Sequence, residues 1–236
     1  NEVTFFGAMY AAAVVTLDAD VAFAEGAQLE GNIRASLLDT GFVESLMGNH
    51  RPPVSQYTLG DDASSFYAEF LTPLRGSGRR RDGEPLATVA KAGVTAQRLR
   101  HLDLLLEAPW QVALGADWGV APDTPVRVPN PASFIAQRLL IHDQRPPNKK
   151  AQDILYIHDT LELFGAQLDA LGRLWRDTLA PTLHARPQRA LLQAIDTIFG
   201  RVDDRIRDAA AIAADRELDP ERMRQMCRMA LGDMLE

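Results

Sequence analysis

Apolar and polar side chains alternate along Thr16 to Phe23, Ala22 excepted. Leu17, Ala19, Val21 and Phe23 fall on one face and Asp18 and Asp20 on the other, the period of a strand with one buried side. A second such run, Ser65 to Leu71 stopped by Pro73, sets Glu69 on the face opposite Ala68 and Phe70. Between them, Gln28 to Asp39 carries Leu29, Ile33, Leu37 and Leu38 at helical spacing, with Gly41 placed to close the helix. Val3–Phe6 reads as a short strand, Ala8–Ala13 as a helix start and Ala96–Glu107 as a helix. Trp110–Leu114 and Val126–Val128 read as short strands. Gly76 to Gly83 holds three arginines in succession among glycines and a serine, and reads as an exposed loop.

From about Asn130 the pattern changes to Ala, Leu, Arg and Asp at helical spacing. Asn130-Pro131 and Asp219-Pro220 each set a capping side chain before a proline suited to the first helical position. With Pro146, Pro147, Pro181 and Pro187 as further punctuation, the pattern predicts about four or five helices. The expected architecture is α+β: residues 1–129 a small mixed sheet with flanking helices, residues 130–236 an all-helical domain.

The 236 residues, 46% of them hydrophobic, can bury one large core or two modest ones. A formal charge of −7 excludes a protein that coats nucleic acid through a broadly basic surface, while leaving local patches such as Arg79-Arg80-Arg81. No apolar run approaches the roughly 20 residues of a membrane span, and no basic segment leads into an apolar stretch at the start. The expectation is a soluble, cytoplasmic protein. Cys227 is the one cysteine, so no internal disulfide forms, and its neighbours Met223, Met226 and Ala230 suit simple packing. His50, His101, His142, His158 and His184 are scattered, without the spacing of a zinc site or a nucleophile–base pair. Trp110, Trp118 and the Leu102–Leu106 run suit core packing better than base stacking.

Aspartate is disfavoured in strands, and two acids on one strand face repel. A divalent cation reverses that repulsion, and magnesium favours carboxylate oxygens together with substrate phosphates. If the two strands pair, Glu69 becomes the third carboxylate of a site able to hold two metal ions about 3.5–4 Å apart. The plainer alternative is a solvated strand face.

Phe6-Gly7-Ala8, followed after nine residues by Asp18-Ala19-Asp20 and later by Glu69, resembles the signature of the polymerase-beta-like nucleotidyltransferase superfamily. The stretches Tyr67–Leu74 and Val128–Pro131 extend the likeness to a bacterial group of that fold, distantly similar to the nucleotidyltransferase toxins of abortive-infection systems. The resemblance implies a nucleotidyltransferase sheet and transfer of a nucleoside monophosphate from an NTP, with Mg2+ or Mn2+ held by Asp18, Asp20 and Glu69. Gly7 and Ala8 would border the nucleotide, since a glycine turn before a helix admits phosphate. Arg138 before Leu139, a loop over Arg145–Lys150, and Lys150 with Asp153 match the family's basic helix, basic loop and lysine–aspartate element, so the resemblance assigns Arg138, Lys150 and Asp153 to nucleotide binding. Arg138 admits a second reading, a salt bridge to Asp153 or Asp143. Ala8 stands where the family usually has glycine or serine, Glu69 where aspartate is common, and Arg138 where lysine is usual. The acceptor expected is unidentified, RNA or protein. Alternatives are a catalytically inactive nucleotide-binding or interaction protein, favoured by Ala8, and a toxin-type enzyme acting on tRNA.

Overall fold

The computed structural model describes residues 18–235 apart from 25, 30, 49–51, 61–64, 80–86 and 117–120. The strand expected at Val3–Phe6, the helix start at Ala8–Ala13, and Gly7 itself lie outside the described residues, as does Trp118. The chain divides into two compact units, Val15–Leu106 and a second containing Glu107–Glu236.

The first unit is a mixed six-stranded sheet: β1 Asp18–Ala22, β2 Val43–Met47, β3 Val54–Leu59, β4 Phe66–Pro73, β5 Thr88–Lys91 and β6 Val94–Leu99. Strand β4 is its organising element. It pairs parallel with β1, antiparallel with β3 and parallel with β6, while β2 and β5 pair antiparallel with β3 and β6. The β1–β4 register is fastened just beyond the end of β1. There Phe23 N donates to Leu71 O at 2.9 Å and the buried Thr72 hydroxyl donates to Phe23 O at 3.1 Å.

On one side of this sheet Phe23, Tyr57, Phe70, Val94 and Ala96 form a core, covered by Leu29, Ile33, Leu37, Phe42 and Val89. Phe23 stacks on Phe70 with ring centroids 5.5 Å apart, and Tyr57 meets Phe70 edge-on at 5.7 Å. Helix α1, Ile33–Asp39, is shorter than the expected Gln28–Asp39, because Gly31 takes a positive φ of 76° and Asn32 caps the helix by accepting from Ala35 N. At its other end Gly41 adopts φ 94°, and the Gly41 and Phe42 amides donate to Leu38 O and Leu37 O. This is the glycine-closed end that the sequence predicts.

The helix expected over Ala96–Glu107 is instead strand β6, followed by the short helix α2, Leu102–Leu106. Ala92 and Gly93, with φ 50° and 82°, make the two-residue turn joining β5 to β6, of the positive-φ kind that suits antiparallel hairpins. Pairing across that turn overrides the helical preference of Ala96, Gln97, Arg98 and Leu99. The turn also serves α1, whose Ile33 N donates to Ala92 O at 3.0 Å.

The second unit begins with the antiparallel hairpin β7 Trp110–Leu114 and β8 Thr124–Val128. Six α-helices follow among the described residues: α3 Pro131–Ile141, α4 Pro147–Leu163, α5 Leu168–Leu174, α6 Ala185–Phe199, α7 Asp204–Ile212 and α8 Pro220–Leu235. Their buried face includes Ile135, Leu139, Ile154, Leu161, Leu191, Ile198, Ile206, Leu231 and the expected Cys227. Both capped starts form. Asn130 accepts from Ser133 N at 2.8 Å while its amide donates to the carbonyls of Glu107 and Ala108, and Asp219 accepts from Arg222 N at 2.7 Å. The architecture is thus α+β, a mixed sheet with C-terminal helices. No described helix is long and apolar enough to cross a membrane.

Candidate functional site

The pleat that sends Phe70 and Tyr57 into the core sends Glu69 and Gln56 to the opposite face. Across β1 the partner of Glu69 is Asp20, and Gln56 is its partner across β3. Adjacent strands lie about 4.8 Å apart, so Asp20, Glu69 and Gln56 make one polar row across three strands. Gln56 Nε2 donates to Glu69 Oε1 at 2.8 Å. The backbone of Asp18 pairs with that of Tyr67, one step along the same ladder. Asp20 is exposed and Glu69 half-buried.

Carboxylates set about one strand spacing apart repel, in general, by about 1–3 kcal/mol, depending on how well water screens them. The same closeness suits a cation, which two carboxylates can ligate together. The donor set is all oxygen, which matches magnesium or manganese and not a thiolate- or imidazole-bound ion. The residues present therefore fit a divalent hard cation.

In the second unit Arg138, Arg145 and Asp153 come together. Asp153, 1% exposed, receives Arg138 Nη1 at 3.1 Å and Arg145 Nε at 2.9 Å. Of the readings open for Arg138, the salt bridge to Asp153 forms. The Arg138 guanidinium also lies 5.0 Å from the ring centre of Phe134, and its buried Nε makes no hydrogen bond. Two cations on one carboxylate leave a net positive charge, to which the half-buried Lys150 adds. The loop expected over Arg145–Lys150 is shorter than that: Pro147 takes the first helical position of α4, so Lys150 and Asp153 both lie within the helix.

Beside this group His142, 1% exposed, stands on the turn between α3 and α4. Arg205 Nη1 approaches its Nε2 at 3.5 Å. Burial, reinforced by the charges of Arg205 and Lys150, pushes the imidazole down to about 4, so the ring is neutral at physiological pH.

His158, Asp159 and Glu162 bring possible metal-ligating atoms within 4.8 Å of one another. Arg216 already spans that cluster, bonding both Asp159 oxygens at 2.8 Å and Glu162 at 3.1 Å. It is an ion-pair network joining α4 to the turn after α7. Trp110 packs edge-on against Phe164 with centroids 5.3 Å apart, in keeping with a core role. Of the arginine loop, Gly76 to Arg79 are described, and Arg100 bonds the carbonyls of Gly76 and Ser77.

Gln56 is the member of the polar row that the sequence does not single out, and Arg145 enters there only as the start of a basic loop. Alternation through Val54-Ser55-Gln56-Tyr57-Thr58-Leu59 marks a strand, and the Arg145 signal is its place between the basic helix and Lys150.

A family model described as nucleotidyltransferase matches residues 4–180 of the chain. No curated protein and no solved structure matches the chain.

Proposed function

Because the chain belongs to the nucleotidyltransferase family, we propose that it moves a nucleoside monophosphate from an NTP to a hydroxyl or phosphate oxygen of an RNA or protein acceptor. In that reading Asp18, Asp20 and Glu69 hold Mg2+ or Mn2+. The observation that carries it is the parallel register pairing Asp20 with Glu69. The bound cation supplies charge neutralisation at phosphate and lowers the pKa of an attacking hydroxyl.

The acceptor oxygen attacks the α-phosphorus in line. A bond from that oxygen to phosphorus forms, the bond to the pyrophosphate bridging oxygen breaks, and the acceptor's proton passes to a carboxylate or to water. Asp20 and Glu69 orient the reacting groups, and the resemblance assigns Gly7 and Ala8 to nucleotide binding. The resemblance gives Arg138, Lys150 and Asp153 the same role, and within the helical unit Asp153 fixes the guanidinium groups of Arg138 and Arg145.

The test is incubation with labelled NTPs, Mg2+ and either total RNA or cell lysate, measuring label transfer and pyrophosphate release. The parent should do both, and Asp18→Ala/Asp20→Ala neither. Equal labelling by the two removes the enzymatic assignment. NTP binding without pyrophosphate release favours the second reading, a nucleotide-binding protein without turnover, for which Ala8 in place of glycine or serine speaks.

A further inference from the structure

Gln56 stands at one end of the polar row, beside Glu69, and neither the family match nor the motif residues give it a part. Its backbone is the β3 partner of Glu69 in β4, and its amide nitrogen lies 2.8 Å from Glu69 Oε1. A carboxylate can only accept, so the group facing it must be the amide N–H. Both side chains are half-buried, where a bond to a charged partner keeps more of its strength than at an open surface.

We propose that Gln56 is a positioning residue: it fixes the Glu69 carboxylate in the orientation that, together with Asp20, receives a divalent cation. This rests on the metal-holding role proposed for Glu69. Glutamate has one more rotatable bond than the aspartate usual in the family, so it has more rotamer freedom to lose on ligation, and the amide removes part of that cost in advance. A carboxylate offers about four lone-pair positions, and the Gln56 amide takes one of them. Glutamine suits the place because it is neutral. A lysine there would compete with the cation, and a glutamate would add a like charge directly across the strand pair.

The experiment titrates Mn2+ alone, without nucleotide, into the full chain and follows free ion by electron paramagnetic resonance. Parent, Gln56→Met, Gln56→Thr, Glu69→Ala and the double variant Gln56→Met/Glu69→Ala are compared. Methionine keeps the length and threonine the strand preference, so whichever folds as the parent does by circular dichroism is read. The expected result is a loss of about tenfold in Mn2+ affinity for the Gln56 variant, the range seen when a partner of a metal ligand is removed. No further loss is expected when Glu69 is already alanine. Unchanged affinity in the Gln56 variants overturns the role, as does an equal loss in both backgrounds, which would mark a merely structural effect. If Glu69→Ala binds Mn2+ like the parent, the carboxylate reading itself falls. If Glu69→Ala loses the ion and the Gln56 variants do not, only the Gln56 role falls.

Discussion

Replacing Asp153 by asparagine tests whether the Arg138–Asp153–Arg145 group holds the helical unit together as its geometry implies. The carboxylate takes a bond of 3.1 Å from Arg138 and one of 2.9 Å from Arg145, with a third, at 3.4 Å, too long to count for much. Bonds to charged groups contribute about 1.5–3 kcal/mol each, and breaking a fully buried pair costs about 3–5 kcal/mol. Here the anion is 1% exposed, but the guanidinium groups are 21% and 29% exposed, so water recovers part of what they lose. Asparagine also turns an amide N–H toward a cation. The expected cost is therefore about 3 kcal/mol, which in a chain of this length lowers Tm by about 6–12 °C. Calorimetry of parent, Asp153→Asn, Arg138→Met and Arg145→Met checks it. An Asp153→Asn protein melting within about 1 °C of the parent would show that the group is not structural.

Two further outcomes follow from the same kind of accounting. His142, held neutral down to about pH 4 by burial and the charges of Arg205 and Lys150, binds a proton more readily unfolded than folded. Its contribution is fully present above its unfolded value of about 6.5 and is lost as pH falls toward 4, up to about 3 kcal/mol at roughly 1.4 kcal/mol per unit. Urea midpoints across that window should fall less steeply in His142→Gln, and identical slopes would contradict the assignment. Gly93→Ala would place a Cβ against the Asn32 side-chain oxygen that caps α1, at a backbone φ of 82°. Strain and cap loss together should cost about 2–3 kcal/mol, visible as a lower urea midpoint. Stability equal to the parent would refute the link between turn and helix.

How much of this was legible in the sequence varied with how local the cause was. Asn130 and Asp219 announce their helices because a cap and a following proline act within a few residues. The alternation at Asp18–Phe23 and Phe66–Leu71 fixes which side chains share a face, and the sheet carries both strands. Strands β2, β3 and β5 carry little local signal, and the residues of β6 read as helical, because their hydrogen bonds close only across the sheet. Ala96 to Leu99 would suit a helix until Ala92-Gly93 turns them onto β5. Gln56 was invisible for the same reason: nothing in Val54–Leu59 indicates which residue will lie beside Glu69 until the antiparallel register is known. Arg138 showed the opposite limit, since its two readings differ only in what its guanidinium touches.

The parallel pairing of β1 with β4 has a consequence in time as well as in space. Parallel neighbours cannot be joined by a tight turn, so Asp20 and Glu69 become partners only after the intervening helix, β2 and β3 have found their places. A chain still emerging from the ribosome, or one cut between the two strands, carries both acids with neither opposite the other. The pairing of the two acids thus arrives with the finished sheet, and an immature molecule holds them in two separate halves.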